Sequence, residues 1–117
     1  MTPLVSEREA IIHAAVDYFE GWFDADVGRM KRALHPDLVK RRAGEELGIT
    51  TKERMLELTA AGAGAEDGAD RRLEVEVVEV HGDIATAIVR SAVYREYLHL
   101  VRTSDGWKIA NALWRPT

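Results

Sequence analysis

One histidine of the sequence stands among residues that could support acid and base chemistry. It lies in the segment EYLHLVR, which is followed closely by DGWKIANALW. If both segments are strands joined by a three-residue loop at Ser104 to Gly106, His99 faces Asn111 and shares a sheet face with Tyr97. His99 could then act as a general acid or base, because imidazole titrates nearest neutrality, while Asn111 or Tyr97 holds a developing oxyanion. A paired structural histidine in the core would show the same pattern.

Period-two alternation divides the side chains of these two strands between the faces of a sheet. The face of His99 would look into a ligand pocket, together with Trp107 from the second strand and Trp22 from a helix. The opposite face would be apolar and would need a cover, so we expect a homodimer. The residues expected at its interface are Leu98, Leu100 and Trp114. A loop of two or four residues would move the side chains of one strand to the other face.

Further candidates for ligand contact are basic. In the run Lys40-Arg41-Arg42, Lys40 and Arg42 share one face of a short strand, so they could reach the pocket mouth and suit an anionic ligand. A solvated edge strand carries the same pattern. His35 precedes Pro36 at a helix end, where a histidine could also cap the helix or pack. The predicted ligand contacts are therefore Tyr97, His99, Asn111, Trp22, Trp107, Lys40, Arg42 and His35, with His99 as the candidate catalytic residue.

Composition and spacing exclude or disfavour several other kinds of site. The chain has no cysteine, which excludes disulfides, thiol nucleophiles and cysteine-ligated metals. The four histidines show no HxH or HExxH spacing, so we predict no metal site and no cofactor. Acidic residues of the predicted strands, Glu96 among them, are expected at positions that face solvent. No paired-carboxylate mechanism is therefore predicted.

Length and charge limit the class of protein and its partners. A chain of 117 residues is expected to form one domain, spanning residues 1 to 117. The net charge of -4 argues against a nucleic-acid partner, because phosphate binding needs a basic face. The apolar runs fall short of the ~20 residues that span a bilayer, and the N-terminus does not have the pattern of a signal peptide. We therefore expect a cytoplasmic protein with no membrane or nucleic-acid partner.

The first third of the chain is predicted to be helical. Ser6 and Glu9 form a capping box before an amphipathic pattern, which predicts a helix over residues 6 to 24. Asp26 is expected to cap a second helix. This helix should end near Leu34, because Pro36 disfavours the helical conformation at the residue before it, His35. Two helices should therefore meet at a tight corner.

A short strand and a third helix are predicted next. Residues 37 to 42 are typical of a strand, and Thr50 with Glu53 forms another capping box that opens a helix. The segment AGAGAEDGAD, residues 61 to 70, consists of small and acidic residues. It is predicted to be a mobile loop.

The last third is rich in β-branched residues and predicts two hairpins. Leu73 to Val80 and Ile84 to Tyr94 flank Gly82-Asp83, while Arg95 to Thr103 and Trp107 to Trp114 flank the second loop. Helices followed by antiparallel strands indicate an α+β fold in two layers.

The order of these elements, together with the segments LHPDLVKRR, EYLHLVR and DGWKIANALW, resembles the nuclear transport factor 2-like superfamily. Within it the chain is similar to the small bacterial "putative lumazine-binding" or SnoaL-like group. The resemblance implies a cone-shaped, strongly bent antiparallel sheet wrapped on N-terminal helices, as in cystatin-like folds. It also implies an internal pocket and, commonly, a homodimer through the outer face of the sheet.

Two functions are compatible with this resemblance, because the fold hosts both enzymes and binding domains. The first is a domain that binds a small molecule between the sheet and the helices. The second is a small lyase, isomerase or cyclase, ketosteroid isomerase-like or polyketide cyclase-like, that uses His99 as general acid or base. A third possibility is a protein-interaction domain that uses the outer sheet face.

Overall fold

Two capped helices open the chain in the computed structural model, which describes residues 6–65 and 70–117. The helix α1 spans Glu7–Phe23, and its Ser6 cap accepts a hydrogen bond from the backbone N–H of Glu9 at 3.1 Å. The helix α2 spans Val27–Ala33 and is capped in the same way by Asp26. Both predicted helices are confirmed, because their N-terminal N–H groups find the predicted side-chain acceptors.

The corner between α1 and α2 depends on a glycine in α1. A Cβ atom on Gly21 would lie 3.0 Å from the backbone nitrogen of Met30 and 3.2 Å from the carbonyl oxygen of Asp26. A larger residue would therefore force the two helices apart. Ala25, which joins them, has a φ of 54°.

The middle of the chain forms two strands and a helix. The strand β1 spans Leu34–Arg42, β2 spans Gly48–Thr51 and the helix α3 spans Lys52–Ala60. The predicted cap of α3 is wrong by one residue: Thr51, not Thr50, accepts the N–H of Arg54. The strand β2 was not predicted. Residues 66–69 of the predicted mobile loop lie outside the described residues.

The last four strands are β3 at Leu73–His81, β4 at Ile84–Ser91, β5 at Tyr94–Thr103 and β6 at Gly106–Pro116. The hairpin at Gly82-Asp83 is confirmed, with Gly82 at a φ of 59°. β4 ends earlier than predicted because the Ser91 hydroxyl accepts the N–H groups of Val93 and Tyr94 and closes a turn.

All six strands form one curved sheet in the order β2-β1-β6-β5-β4-β3, so the chain has the predicted α+β fold. Only the pair of β1 and β6 is parallel, and the other neighbours are antiparallel. The helices cover one face of the sheet and enclose an apolar core. Its largest fully buried hydrophobic side chains are Phe19, Phe23, Ile11, Met30, Leu34, Met55, Leu98, Leu100, Ile109 and Val89. No helix in residues 6–65 and 70–117 is long and apolar enough to cross a membrane.

The hairpin of β5 and β6 departs from the predicted register in two places. Thr103 pairs with Gly106, so the loop has two residues and not three. The ladder then shifts between His99 and Leu100, which pair with Asn111 and Ile109, respectively. The extra residue, Ala110, is a β-bulge. The two departures compensate, so the predicted pairing of His99 with Asn111 is correct.

The shorter loop reverses the predicted faces of β5, and the bulge moves Asn111 to the same face as His99. Trp107 and Ile109 lie on the buried face, whereas Asn111, beyond the bulge, lies on the exposed face. His99 and Tyr97 are exposed with it, while Leu98 and Leu100 are 0% and 2% exposed in the core. The prediction that His99 points into the interior is wrong, because the two-residue loop puts Leu100, and not His99, on the face of Trp107 and Ile109. The predicted dimer contacts Leu98 and Leu100 are wrong for the same reason. The third, Trp114, is wrong as well, because its ring lies on the side of the buried Lys40, with Lys40 Nζ 5.0 Å from its centroid.

Candidate functional site

A pocket opens between the helices and the concave side of the sheet. We call it the central pocket; its volume is about 440 Å³ with its open mouth included. It is lined by aromatic and aliphatic side chains with a few polar groups, a composition typical of small-molecule sites. The lining residues are Tyr18, Phe19, Trp22, Lys40, Thr50, Met55, Leu58, Tyr94, Glu96 and Trp114.

A buried carboxyl group is the polar centre of this pocket. Glu96 on β5 is 2% exposed. Its Oε1 accepts a hydrogen bond from the Tyr18 hydroxyl at 2.9 Å, and its Oε2 lies 3.7 Å from the Nζ atom of Lys40. Helix α1 and strands β1 and β5 thus each contribute one side chain to a Tyr18–Glu96–Lys40 network. No buried side-chain nitrogen or oxygen in the described part of the chain is left without a partner.

Burial shifts the protonation of all three groups. Desolvation raises the pKa of Glu96, although Lys40 and Tyr18 both act in the opposite direction. Desolvation lowers the pKa of Lys40 against the attraction of Glu96. The pKa of Tyr18 is raised well above its usual value by burial and then by the Glu96 charge. The network therefore holds a carboxyl and an amine whose charged forms are both disfavoured by the surroundings.

Aromatic rings surround the ammonium group of Lys40. Its Nζ atom lies 5.0 Å from the ring centroid of Tyr18, 5.9 Å from that of Trp22 and 5.0 Å from that of Trp114. Ring faces attract cations, which offsets part of the desolvation cost. A ligand entering the central pocket would meet these rings, together with a hydrogen-bond donor and an acceptor.

The alternation of β1 explains why Lys40 lies inside. Leu38 and Lys40 are buried on one face, and Arg42 continues that face beyond the pocket. The guanidinium carbon of Arg42 lies 5.4 Å from the Trp114 ring, yet Arg42 is exposed and does not line the pocket. The structure thus brings Trp22 and Lys40 to the central pocket; their roles in binding stay predictions.

The other predicted contacts lie elsewhere. Tyr97, His99 and Asn111 are exposed on the opposite face of the sheet, with Asn111 Nδ2 and His99 Nδ1 3.5 Å apart. Trp107 is buried, and its Nε1 donates to Glu7 at the start of α1 at 2.9 Å. His35 lies at the beginning of β1, outside the central pocket.

Glu96 is the site residue that the sequence reasoning missed. It was expected at a solvent-facing position, and this expectation is wrong. Glu96, Leu98 and Leu100 alternate along β5 and lie on the same buried face. A correct assignment of the two leucines to the core would have placed the carboxyl inside as well. The sequence did contain a signal for this: Glu96 stands at the start of a series of alternate positions that continues with Leu98 and Leu100.

The described residues contain no group of three or more histidine, cysteine or acidic side chains that could hold a metal ion. Within the central pocket, the network supplies both a hydrogen-bond donor and an acceptor. Lys40 can donate hydrogen bonds, Glu96 can accept them or exchange a proton, and the rings can stack on a flat molecule.

Solved structures show where this fold occurs. An NTF2-like protein of unknown function from Shewanella baltica OS155 has a TM-score of 0.75 at 14% identity, covering 100% of this chain and 98% of its own. A ketosteroid isomerase-like protein from Erwinia carotovora atroseptica has a TM-score of 0.70 at 22% identity, covering 95% and 96%. An NTF2-like protein with a cystatin-like fold from Novosphingobium aromaticivorans has a TM-score of 0.72 at 17% identity, covering 94% and 81%. At such identities the likeness shows the fold alone.

Sequence comparison is more specific than these structural likenesses. No curated protein matches the chain at a significant level. The family described as "Putative lumazine-binding" matches residues 6–115, which is nearly the whole chain. This protein has an NTF2-like fold with a buried Tyr18–Glu96–Lys40 network in its pocket, and it belongs to that "Putative lumazine-binding" family.

Proposed function

We propose that this domain binds a small, flat molecule in the central pocket. The observation that carries the proposal is the Tyr18–Glu96–Lys40 network at the polar centre of an aromatic-walled cavity. Aromatic walls favour a planar ligand, because ring faces stack on other rings. A few convergent polar groups in an apolar cavity are what orients a bound small molecule.

The two charged groups suggest which polar edge the ligand presents. Lys40 offers N–H donors and Glu96 offers carboxylate acceptors, with Nζ and Oε2 3.7 Å apart. A ligand with an acceptor and a donor side by side could bridge them and replace their mutual contact. The family description names lumazine, a flat ring system whose edge carries such groups. Lumazine is therefore the first probe to test.

The test is a titration of the protein with lumazine, followed by the fluorescence of the ligand. Saturable binding supports the proposal. Lys40→Met and Glu96→Gln should each weaken binding by about tenfold or more, the usual loss when a buried hydrogen-bond partner is removed. Lys31→Met, an exposed change outside the central pocket, is the matched control and should leave the affinity unchanged.

Two results would contradict this proposal. One is the absence of saturable binding, by lumazine or by other flat heterocycles, to protein that circular dichroism shows to be folded. The other is binding that survives both pocket variants, since the ligand would then lie elsewhere on the molecule.

A second candidate, proton-transfer catalysis, is favoured by the burial of Glu96. The raised pKa of this carboxyl, in an apolar cavity beside the Tyr18 hydroxyl, is the environment in which carboxyl groups act as general acids or bases. If this protein is a lyase, isomerase or cyclase, Glu96 would then be its general acid or base, the role that the sequence analysis gave to His99. 5-Nitrobenzisoxazole is a suitable probe, because a base that removes its ring proton breaks the N–O bond and releases a coloured phenolate. Catalysis that Glu96→Gln abolishes would support this candidate.

We also propose that the chain forms a homodimer through the outer face of the sheet. Tyr97 on β5 and Leu113 on β6 are paired, and they are 46% and 45% exposed. Ile49 on β2, 65% exposed, continues this row beyond Arg41 of β1. Exposed apolar rows of this kind mark interfaces. Light scattering should give twice the chain mass, and Tyr97→Glu should give a monomer. A monomeric wild type at micromolar concentration would contradict the homodimer.

A further inference from the structure

A second groove, which shares no residue with the central pocket, gathers basic side chains. It lies where α2, the start of β1, the first residue of α3 and the β5–β6 hairpin meet, and it measures about 1030 Å³ with its open mouth included. Its charged lining consists of Lys31, Arg32, Lys52, Lys108 and the single acid Asp105. We call it the basic groove. Four cations against one carboxylate stand out on a chain whose net charge is -4.

Two of these ammonium groups are held in place by backbone carbonyls. Lys52 Nζ donates to the Leu34 oxygen at 2.9 Å, and Lys108 Nζ donates to the Arg32 oxygen at 2.6 Å. An ammonium group has three N–H donors, so each lysine keeps two more for other acceptors. Lys31 is exposed and forms no hydrogen bond or ion pair within residues 6–65 and 70–117. The lysine charges are thus positioned but are not neutralised by acids.

The arrangement carries an electrostatic cost. Partial burial, followed by repulsion from Lys108 and Lys31, lowers the pKa of Lys52. Lys52 is also the first residue of α3, where the helix dipole disfavours a cation. Arg32 differs from the lysines, because its Nε atom lies 3.2 Å from the Asp17 carboxylate. An anion in the groove would therefore relieve repulsion among the three lysines.

His35 adds a neutral donor to the same groove. Its Nδ1 atom accepts a hydrogen bond from the backbone N–H of Asp37 at 3.0 Å, so this nitrogen carries no proton. The proton of the neutral ring is then on Nε2, which becomes a donor. His35 thus lines this groove and not the central pocket, where the sequence analysis had placed it.

We propose that the basic groove binds a phosphate group, supplied by inorganic phosphate or by a small phosphate monoester. A phosphate group carries about −1.5 to −2 charges at pH 7, which suits three uncompensated ammonium groups better than one carboxylate does. Lysine acts as a point charge on phosphate, whereas paired recognition of a carboxylate is the usual work of arginine. The only arginine of the groove is already paired with Asp17.

The experiment follows backbone amide NMR signals of the full chain during titrations with inorganic phosphate, phenyl phosphate and succinate at constant ionic strength. We expect phosphate and phenyl phosphate to give saturable shifts around Lys52 and Lys108, and succinate to give weaker ones. Tighter binding of phenyl phosphate would identify an ester as the source, and tighter binding of inorganic phosphate would identify the free ion. Equal binding of succinate would overturn the assignment to phosphate.

Variants separate a built site from general attraction to a positive surface. Lys108→Gln should weaken phosphate binding about tenfold, since a charged hydrogen bond is lost. Lys31→Gln should weaken it about threefold and cannot disturb a hydrogen bond of the fold. Arg41→Gln removes the same charge outside the groove and should change the affinity less than twofold.

Equal weakening by Arg41→Gln, or the absence of saturable shifts in the wild type, would overturn the proposal. Lys40→Met should leave phosphate binding unchanged. Failure of this proposal is thus independent of failure at the central pocket.

Discussion

Lysine is placed in two opposite ways in this molecule. In the central pocket, Lys40 is buried, faces the Glu96 carboxyl and is surrounded by three rings. In the basic groove, Lys31, Lys52 and Lys108 lie near one another, with Asp105 as the only acid of the lining. The first cation is compensated within the fold, and the others are not. A buried charge needs a partner within the fold, because it has lost its hydration. Partly solvated lysines keep some hydration, so they can remain unpaired until an anion binds.

The sharpest test of this difference removes the partner of Lys40. Glu96→Gln keeps the shape of the side chain and its acceptor for Tyr18 but leaves the ammonium group buried without a counter-ion. We expect a loss of about 3 kcal/mol or more in the free energy of unfolding, measured by urea denaturation. The double variant Lys40→Met with Glu96→Leu should recover most of the loss, because neither charge remains. A loss below about 1 kcal/mol in the single variant would show that the pair is not compensated in this way.

The next effect concerns the hydrogen bond from Tyr18 to Glu96. Tyr18→Phe removes the hydroxyl that donates to Oε1 at 2.9 Å and leaves the ring in place. We expect a loss of about 2 kcal/mol, within the range for hydrogen bonds to charged groups. The double-mutant cycle with Glu96→Leu, which removes the acceptor, should show coupling between the two positions, measured by the same denaturation. Independent, additive losses would contradict a shared network.

The pKa shifts of the pair predict a pH dependence with a definite sign. The folded pKa of Glu96 is raised from 4.5, so the folded state binds the extra proton more tightly and stability falls as the pH rises above 4.5. The folded pKa of Lys40 is lowered from 10.5, so the unfolded state binds more protons just below pH 10.5 and stability rises again there. Each slope is at most about 1.4 kcal/mol per pH unit.

The measurement is the free energy of unfolding against pH for the wild type, minus that of the Lys40→Met, Glu96→Leu double variant. This difference in the free energy of unfolding should pass through a minimum between pH 4.5 and pH 10.5. A flat difference curve would show that neither group is perturbed by burial.

The smallest effect is expected in the basic groove. Lys31→Gln should change the stability by less than about 0.5 kcal/mol, in the stabilising direction, because it removes repulsion from Lys52. The change should vanish at 1 M salt, where screening acts over about 3 Å. A destabilisation that persists at high salt would show that Lys31 supports the fold. The lysines of the basic groove would then be compensated within the fold, as Lys40 is, and the contrast between the two regions would be wrong.

Local sequence signals were sufficient to predict where the two helices near the N-terminus begin. The caps Ser6 and Asp26 are followed by N–H groups within three residues, so their hydrogen bonds depend on neighbours in sequence alone. The cap of α3 was harder, because Thr50 and Thr51 are both good capping residues. Both pair with β1, Thr50 with Lys40 and Thr51 with Val39, but Thr50 lines the central pocket and Thr51 caps the helix. The packing of the strand against the pocket thus distinguishes the two threonines.

The candidate site was predicted only in part, and the reasons are the length of one loop and one extra residue in β6. The pairing of His99 with Asn111 is present because the shorter loop and the bulge compensate each other. Alternation placed Lys40 and Arg42 on one face of β1, and of these two the structure brings Lys40 to the pocket. The directions of His99 and Glu96 were wrong because they rested on a three-residue loop, whereas the loop has two residues. The bulge at Ala110, which leaves no mark in composition or periodicity, then restores the pairing of His99 with Asn111. An extra residue in a strand is tolerated where the sheet must bend over helices, and that bend is a property of the whole sheet.

Composition and local spacing by themselves determined the α+β class, the starts of α1 and α2, the Gly82-Asp83 turn and the absence of cysteine chemistry. These follow from interactions among near neighbours or from the presence of a residue type. Only the tertiary structure decided that Glu96 meets Lys40 and Tyr18, and that three lysines from different elements meet in one groove. These contacts are between residues up to 78 positions apart in the sequence. The register of the strands and the packing of the helices bring such residues together.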